Sequence, residues 1–432
     1  VSSSARARGE RRPRSVTPQW DILLAVTALS VAVVALPRLG FSAQAVFESI
    51  LLLVFLILAG LSLLLHRSFR NHSTGLRHDW RSWRGRLNWR RSFAKLGALY
   101  AIWLLIGAVY LLVPEYRSTF YEPFWAYLYR AMPILAVAAL PYFIVMDAMM
   151  LKPEMDGYWH LSRVLLGRWR EADAVELKTL MLGWAIKGFF LPVMLPGLLY
   201  ATKGALRGGA PSDIVSLVQV VTVYALCFDL VFAVLGYICT LRILDTHIRS
   251  VNPVGWGWVV CLVLYKPFWG EVSPHLFDYK DGFYWTYWMA QTPWLLGVWG
   301  MFIILAKLGW VWANAMFGLR FSNLTHRGII TNGPYRWTKH PSYLCKNIAW
   351  WLISVPFLSH LGLSGAIMHC CALLGINALY YLRAVSEEIH LSEDPIYVEY
   401  ALWMNKHGLL RGLARWVPML CYRAPRSLAP TD

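Results

Sequence analysis

Long unbroken apolar runs decide what this chain can fold into. Stretches at roughly 20–37, 44–65, 94–113, 124–150, 178–200 and 213–239 each approach or exceed the length that crosses a bilayer as helix, about 20 residues. Further runs lie at about 291–318, 341–358 and 362–384, and a shorter Trp- and Gly-rich piece at 254–268. Backbone inside hydrocarbon has no water to bond, so runs of this kind must pair their own N–H and C=O groups as helices. The fold class is therefore all-α, a polytopic membrane protein of about ten transmembrane helices, with 254–268 counted as a crossing.

Charge sets the orientation. A net charge of +17 would suggest nucleic acid in a soluble chain, but 57% of these residues are hydrophobic and the basic ones fall between spans. No nucleic-acid partner is expected. Basic loops at 66–95, 151–177, 240–253 and 319–340 alternate with 114–123, 201–212 and 269–290, which are poorer in Arg and Lys or carry compensating acids. The positive-inside rule then places both termini in the cytosol. Residues 1–19, with Arg6, Arg8, Arg11, Arg12 and Arg14, read as a basic cytoplasmic tail.

Several local patterns carry expectations of their own. Trp80, Trp83 and Trp89 among the arginines of 66–95 suit a helix lying on anionic headgroups. The segment 151–177 has the spacing of an amphipathic cytoplasmic helix, and its Asp156 and His160 read as an ordinary solvated pair. Most of the seven cysteines sit inside apolar spans without metal-type spacing, so they read as small core residues and no metal site is expected. The aromatics of 275–288 suit an interfacial belt. Lys187 and Asp229 lie deep in consecutive spans, where an unpaired charge costs about 2.5–3.5 kcal/mol. They are expected to pair or to share one polar cavity.

Chemistry concentrates in THRGIITNGPYRWTKHPSYLCKN, residues 325–347, where Arg327, Arg336, Lys339, His340 and Lys346 lie between two apolar spans. Gly333-Pro334 reads as a turn, and His340-Pro341 opens a helix with Pro341 where its missing N–H costs nothing. A turn, a basic cluster and a helix N-terminus together can seat an anion or a cofactor. A second charged group, Arg383, Glu387 and Glu388 in LYYLRAVSEEIHL, falls at the same cytoplasmic depth. Arg383 and Glu387 are four apart and share a helix face. Ionisable groups converging at a membrane boundary mark a functional site.

The order GPYRWTKHPSY, span, turn, span, Arg-x-x-x-Glu-Glu and a tail with Tyr397 and Tyr400 resembles the isoprenylcysteine carboxyl methyltransferase family and its phospholipid methyltransferase relatives, over about residues 320–418. The resemblance implies a methyltransferase-like C-terminal helical region that binds S-adenosyl-L-methionine at the cytoplasmic membrane face. It puts cofactor contacts on Arg327, Gly328, Ile329, Ile330, Tyr335, His340, Pro341, Ser342, Tyr343 and Glu387, and gives Arg383 the acceptor's carboxylate. Two departures stand out: Lys339 where Arg usually precedes His-Pro, and Cys345 where a Gly is common. A carboxylate acceptor is ionised at neutral pH and needs no general base, which suits a region without an obvious acid–base dyad.

The implied organisation is a tail at 1–19, a membrane bundle with a lipid cavity at 20–318, a cofactor-binding region at 319–418 and a tail at 419–432. The implied partner is a lipid or isoprenoid acceptor in the membrane. Two other readings exist. Membrane sterol reductases, which use NADPH, resemble the same C-terminal fold and have about ten spans; a non-catalytic lipid-binding or transport protein could also keep the fold.

Overall fold

The computed structural model describes residues 11–424 apart from 80, 82, 277–282, 415 and 417–419. Arg6, Arg8 and Trp80 lie outside the described residues, as does most of the 419–432 tail. The chain runs through α1 (Gln19–Arg38), α2 (Ala43–Gly60), α3 (Trp89–Leu112), α4 (Glu122–Met149), α5 (Gly157–Leu165), α6 (Ala174–Arg207) and α7 (Ile214–Ile238). After β1 (Ser250–Val251) come α8 (Gly255–Leu262), α9 (Phe268–Leu276) and α10 (Pro293–Ala315). Then follow β2 (Thr325–His326), α11 (Pro341–Ser354), α12 (Gly362–Leu391) and α13 (Pro395–His407).

Among the described residues eight helices are long and apolar enough to cross a membrane: α1, α2 with its continuation to Leu65, α3, α4, α6, α7, α10 and α12. The two other stretches read as spans fold short. The 254–268 piece forms only the eight-residue α8, about 12 Å of helix. Its first turn packs closely on α12: a Cβ on Gly257 would lie 1.8 Å from Ser386 Oγ. The run from 341 gives the 14-residue α11.

Capping fixes where the long helices begin. Asp173 accepts from the N–H groups of Val175 and Glu176 at the start of α6, and Asp213 with Ser216 forms a capping box on α7. These two helices pack along each other, α10 packs on both α7 and α11, and α8 lies against α12. The largest buried cluster joins α1, α2, α6 and α7 to the 319–335 loop and α13.

Three expectations are corrected. The basic segment after α2 is not an interfacial helix; its described residues form short 3-10 turns at Ser68–Arg70, His72–Thr74 and Trp83–Arg86 until α3 starts at Trp89. The left-handed Gly75 interrupts it, and Asn71 and Ser73 turn inward to bond Asp245 at 3.0 and 2.7 Å. The 151–177 segment is likewise broken, α5 ending at Leu165 before α6 begins at Ala174. There Asp156 pairs with Lys95 at 3.0 Å, and His160 Nδ1 accepts from the Asp173 N–H. Lys187 and Asp229 form no ion pair. Lys187 donates to Thr240 and lies over the Trp184 ring, whereas Asp229 accepts from Asn314. Residues 277–282 of the expected aromatic belt fall outside the described residues, and Phe283, Tyr287 and Trp288 gather round His360.

Candidate active site

The loop between α10 and α11 is held from three directions. Its β2 pairs antiparallel with β1, Ser250 opposite His326 and Val251 opposite Thr325. Beneath it, Arg320 bonds Asp245 at 3.1 Å and the Arg327 carbonyl at 2.6 Å. Burial pushes the Asp245 carboxyl up, but Arg320, Asn71, Ser73 and Arg249 outweigh it and hold the group below the usual carboxylate range. Arg327 itself is buried, its guanidinium donating to the carbonyls of Thr246, Gly236, Phe321 and Cys239.

A strap from the N-terminal segment closes the third side. Val16 N–H donates to the Ile329 carbonyl at 3.1 Å, Thr331 Oγ1 to the Pro13 carbonyl at 2.7 Å, and Asn332 Nδ2 to the Thr17 carbonyl at 2.7 Å. Gly328 makes that fit possible. Its φ is +111°, and a Cβ there would sit 2.9 Å from a Val16 methyl. Gly328→Ala is expected to cost about 1–3 kcal/mol through backbone strain and a displaced strap. Thermal unfolding in detergent reads it, and an unchanged midpoint would mean that the strap is a passive contact.

Beyond the strap, Gly333–Arg336 forms the expected turn, pinned by Tyr400 Oη donating to the Tyr335 carbonyl at 2.6 Å. Burial, then neighbouring Tyr400, raises the Tyr335 hydroxyl well above its ordinary pKa, so it stays protonated. The chain then reaches α12: Lys339 Nζ meets Glu388 at 2.7 Å and His340 Nε2 meets the same carboxylate at 3.0 Å. The His340 ring stacks on Tyr343, whose hydroxyl donates to Glu387. Arg383 spends its fork on Glu387 at 3.4 Å and Asn323 at 2.5 Å, with Tyr265 at 3.5 Å.

These groups surround one cavity of about 710 Å³. Arg327, Gly328, Ile329, Ile330, Tyr335, His340, Ser342, Tyr343, Glu387 and Arg383 all line it. Pro341 does not; it is buried in the first turn of α11. Sequence reasoning missed Asn323 and Tyr265, which hold Arg383, and Asn314. None belongs to a charged pattern or a motif, and each joins the site only through tertiary packing: Tyr265 follows α8, which lies on α12, Asn314 is on α10, which packs on α7 and α11, and Asn323 is in the loop after α10.

The donor set fits a zwitterionic sulfonium cofactor such as S-adenosylmethionine. Tyr397 Oη and Thr325 Oγ1 are buried, line the cavity and find no hydrogen-bond partner among the described residues. The first-turn N–H groups of α11 face no helical acceptor and suit a carboxylate. Glu387 offers a carboxylate to an ammonium.

No curated protein and no solved structure matches the chain. The C-terminal region, residues 291–393, which carries α10, the strapped loop, α11 and α12, matches the model of the isoprenylcysteine carboxyl methyltransferase (ICMT) family.

Proposed function

We propose that this chain is an integral membrane methyltransferase that uses S-adenosylmethionine at the cytoplasmic face to methylate a carboxylate on a lipidic or isoprenoid acceptor. The family match and the eight apolar helices support a membrane methyltransferase. The observation that carries the finer reading is the meeting of His340, Tyr343, Arg383 and Glu387 on a cavity that also has apolar walls from α6 and α7. One cavity thus offers a charged end for a cofactor and a greasy end for an acceptor.

In this reading the cofactor, when bound, supplies a methyl on a sulfonium; a carboxylate oxygen forms the new C–O bond as the C–S bond breaks, leaving a thioether and an ester. No proton moves, so the chain's residues need only bind, align and exclude water. Glu387 pairs with the cofactor's ammonium, and the α11 N-terminus takes its carboxylate. Arg383, fixed by Asn323 and Glu387, presents its remaining N–H groups to the acceptor.

Titration of the purified protein with S-adenosylhomocysteine and with NADPH tests the proposal. Binding of the first alone is expected; binding of NADPH alone would move the chain to the reductases, and binding of neither would leave a non-catalytic lipid protein. Arg383→Lys keeps the charge but loses the planar fork, so turnover should fall about ten-fold with S-adenosylhomocysteine affinity within about two-fold. An equal loss of both would mean that Arg383 serves the cofactor.

A further inference from the structure

The inner part of the cavity holds two opposite charges that the chemistry above does not use. Asp229, on α7, is 8% exposed and lines the cavity. Its Oδ1 accepts from Asn314 Nδ2 at 2.5 Å, and no hydrogen bond or ion pair reaches its Oδ2 among the described residues. Lys346, on α11, lines the same space. Its ammonium lies 4.8 Å from the Trp310 ring centroid and makes no hydrogen bond or ion pair among the described residues. Around them stand apolar residues, Val193, Met194 and Gly197 from α6 and Leu226, Leu230 and Ala233 from α7. Asp229 and both apolar sets lie outside the family match, whereas Lys346 and Asn314 lie inside it.

Asp229 and Lys346 attract one another across the cavity, yet neither hydrogen-bonds the other, so a carboxylate oxygen and an ammonium keep unspent hydrogen-bonding capacity on an apolar-walled cavity, which is costly unless a ligand meets it. Their formal charges cancel, which selects what can do so. A second anionic group on the ligand would be repelled by Asp229 and a cationic one by Lys346. A neutral group with both a donor and an acceptor satisfies the two at once.

Resting on the methyltransferase reading for the other end of the cavity, we infer that the acceptor carries, besides the methylated carboxylate, a neutral amide or hydroxyl within its apolar body, and that Asp229, Asn314 and Lys346 form its recognition site. Asn314 is a positioning residue that holds the Asp229 carboxylate and leaves one oxygen for the ligand's N–H or O–H. Lys346 donates to the ligand's oxygen. A site built to bond such a group rejects a ligand lacking it, because the site's own polar groups are then left unpaired.

The test uses the full chain in lipid nanodiscs and two probes of equal chain length. N-palmitoylglycine has a carboxylate and an amide; nonadecanoic acid has the carboxylate alone. Equilibrium binding, which needs no turnover, should show N-palmitoylglycine bound at least about ten-fold more tightly. The Asp229→Asn, Lys346→Met double variant should bring the two probes within about two-fold while S-adenosylhomocysteine binding stays unchanged. Each single variant should lower the preference at least about three-fold, so the result stands even where the double variant aggregates.

Equal binding of the probes, binding of neither, or a preference that survives the substitutions overturns the inference. Failure of the parent reading looks different. Wild-type protein that ignores S-adenosylhomocysteine but keeps an Asp229-dependent preference removes the methyltransferase and leaves the amide site.

Discussion

Arg327→Met is expected to unfold this protein more readily, by about 3–5 kcal/mol, rather than simply weaken cofactor binding. The resemblance assigns Arg327 to the cofactor, and the residue does line the cavity. Its guanidinium, however, is already taken by four carbonyls, those of Gly236 and Cys239 at the end of α7, Thr246 in the turn beyond it and Phe321 after α10. Burial, then nearby Arg320, pushes its pKa down, and those carbonyls offset the cost of keeping the charge inside. Methionine fills much of the space and donates nothing, leaving buried acceptors unpaired at about 1–3 kcal/mol each before relaxation. Arg336→Met is the control. That residue is half-buried, among the described residues hydrogen-bonds the Gly333 carbonyl and Gln19 and lies over the Trp337 ring, and should cost no more than about 1 kcal/mol. An unchanged unfolding midpoint for Arg327→Met, with S-adenosylhomocysteine binding lost, would return the side chain to the cofactor.

Glu387→Gln should weaken S-adenosylhomocysteine binding by about thirty-fold to a hundred-fold, with the fold intact. The amide is nearly the same shape and can still accept from Tyr343 and Arg383, so the scaffold of the site survives. What disappears is the negative charge opposite the cofactor's ammonium, a charge-assisted contact worth about 1.5–3 kcal/mol. Glu388→Gln makes the comparison sharp. Glu388 is not a cavity-lining residue and holds Lys339 and His340. Its loss should therefore act on the loop's stability, with a smaller effect on affinity. Equal affinity in wild type and Glu387→Gln would strike the ammonium contact from the proposal.

How much of this was legible beforehand varies with the kind of signal. Apolar runs reveal spans because lipid imposes one rule along the whole length of a helix. They gave all eight long helices; at 254–268 and 341–358 the helices formed, α8 and α11, are eight and 14 residues long, and the count of ten is not confirmed. Gly257 lies close against Ser386 of α12, a contact that hydropathy cannot register. Motif order brought the KHP turn and the Arg383–Glu387 face to one cavity. It could not separate a residue that faces the cavity from one that is spent on carbonyls, as Arg327 is. The rule that buried charges seek partners was sound for Lys187 and Asp229, yet it named the wrong partners. Thr240 and Asn314 are neutral and carry no charge pattern to read.

The strap across the 327–332 loop has a consequence for biogenesis. Its bonds join residues more than three hundred positions apart, Ser15 to Asn332 among them. The earlier-made segment must therefore wait, unlatched, until α10 has been inserted and the loop behind it emerges. Over that interval it has to stay on the side of the bilayer where the loop will appear. An α1 threaded in the opposite sense would strand residues 13–17 across the membrane from their partners. The loop above the cavity would then lack its cover however well the later spans had packed. Those few bonds thus couple a finished site to correct insertion of α1.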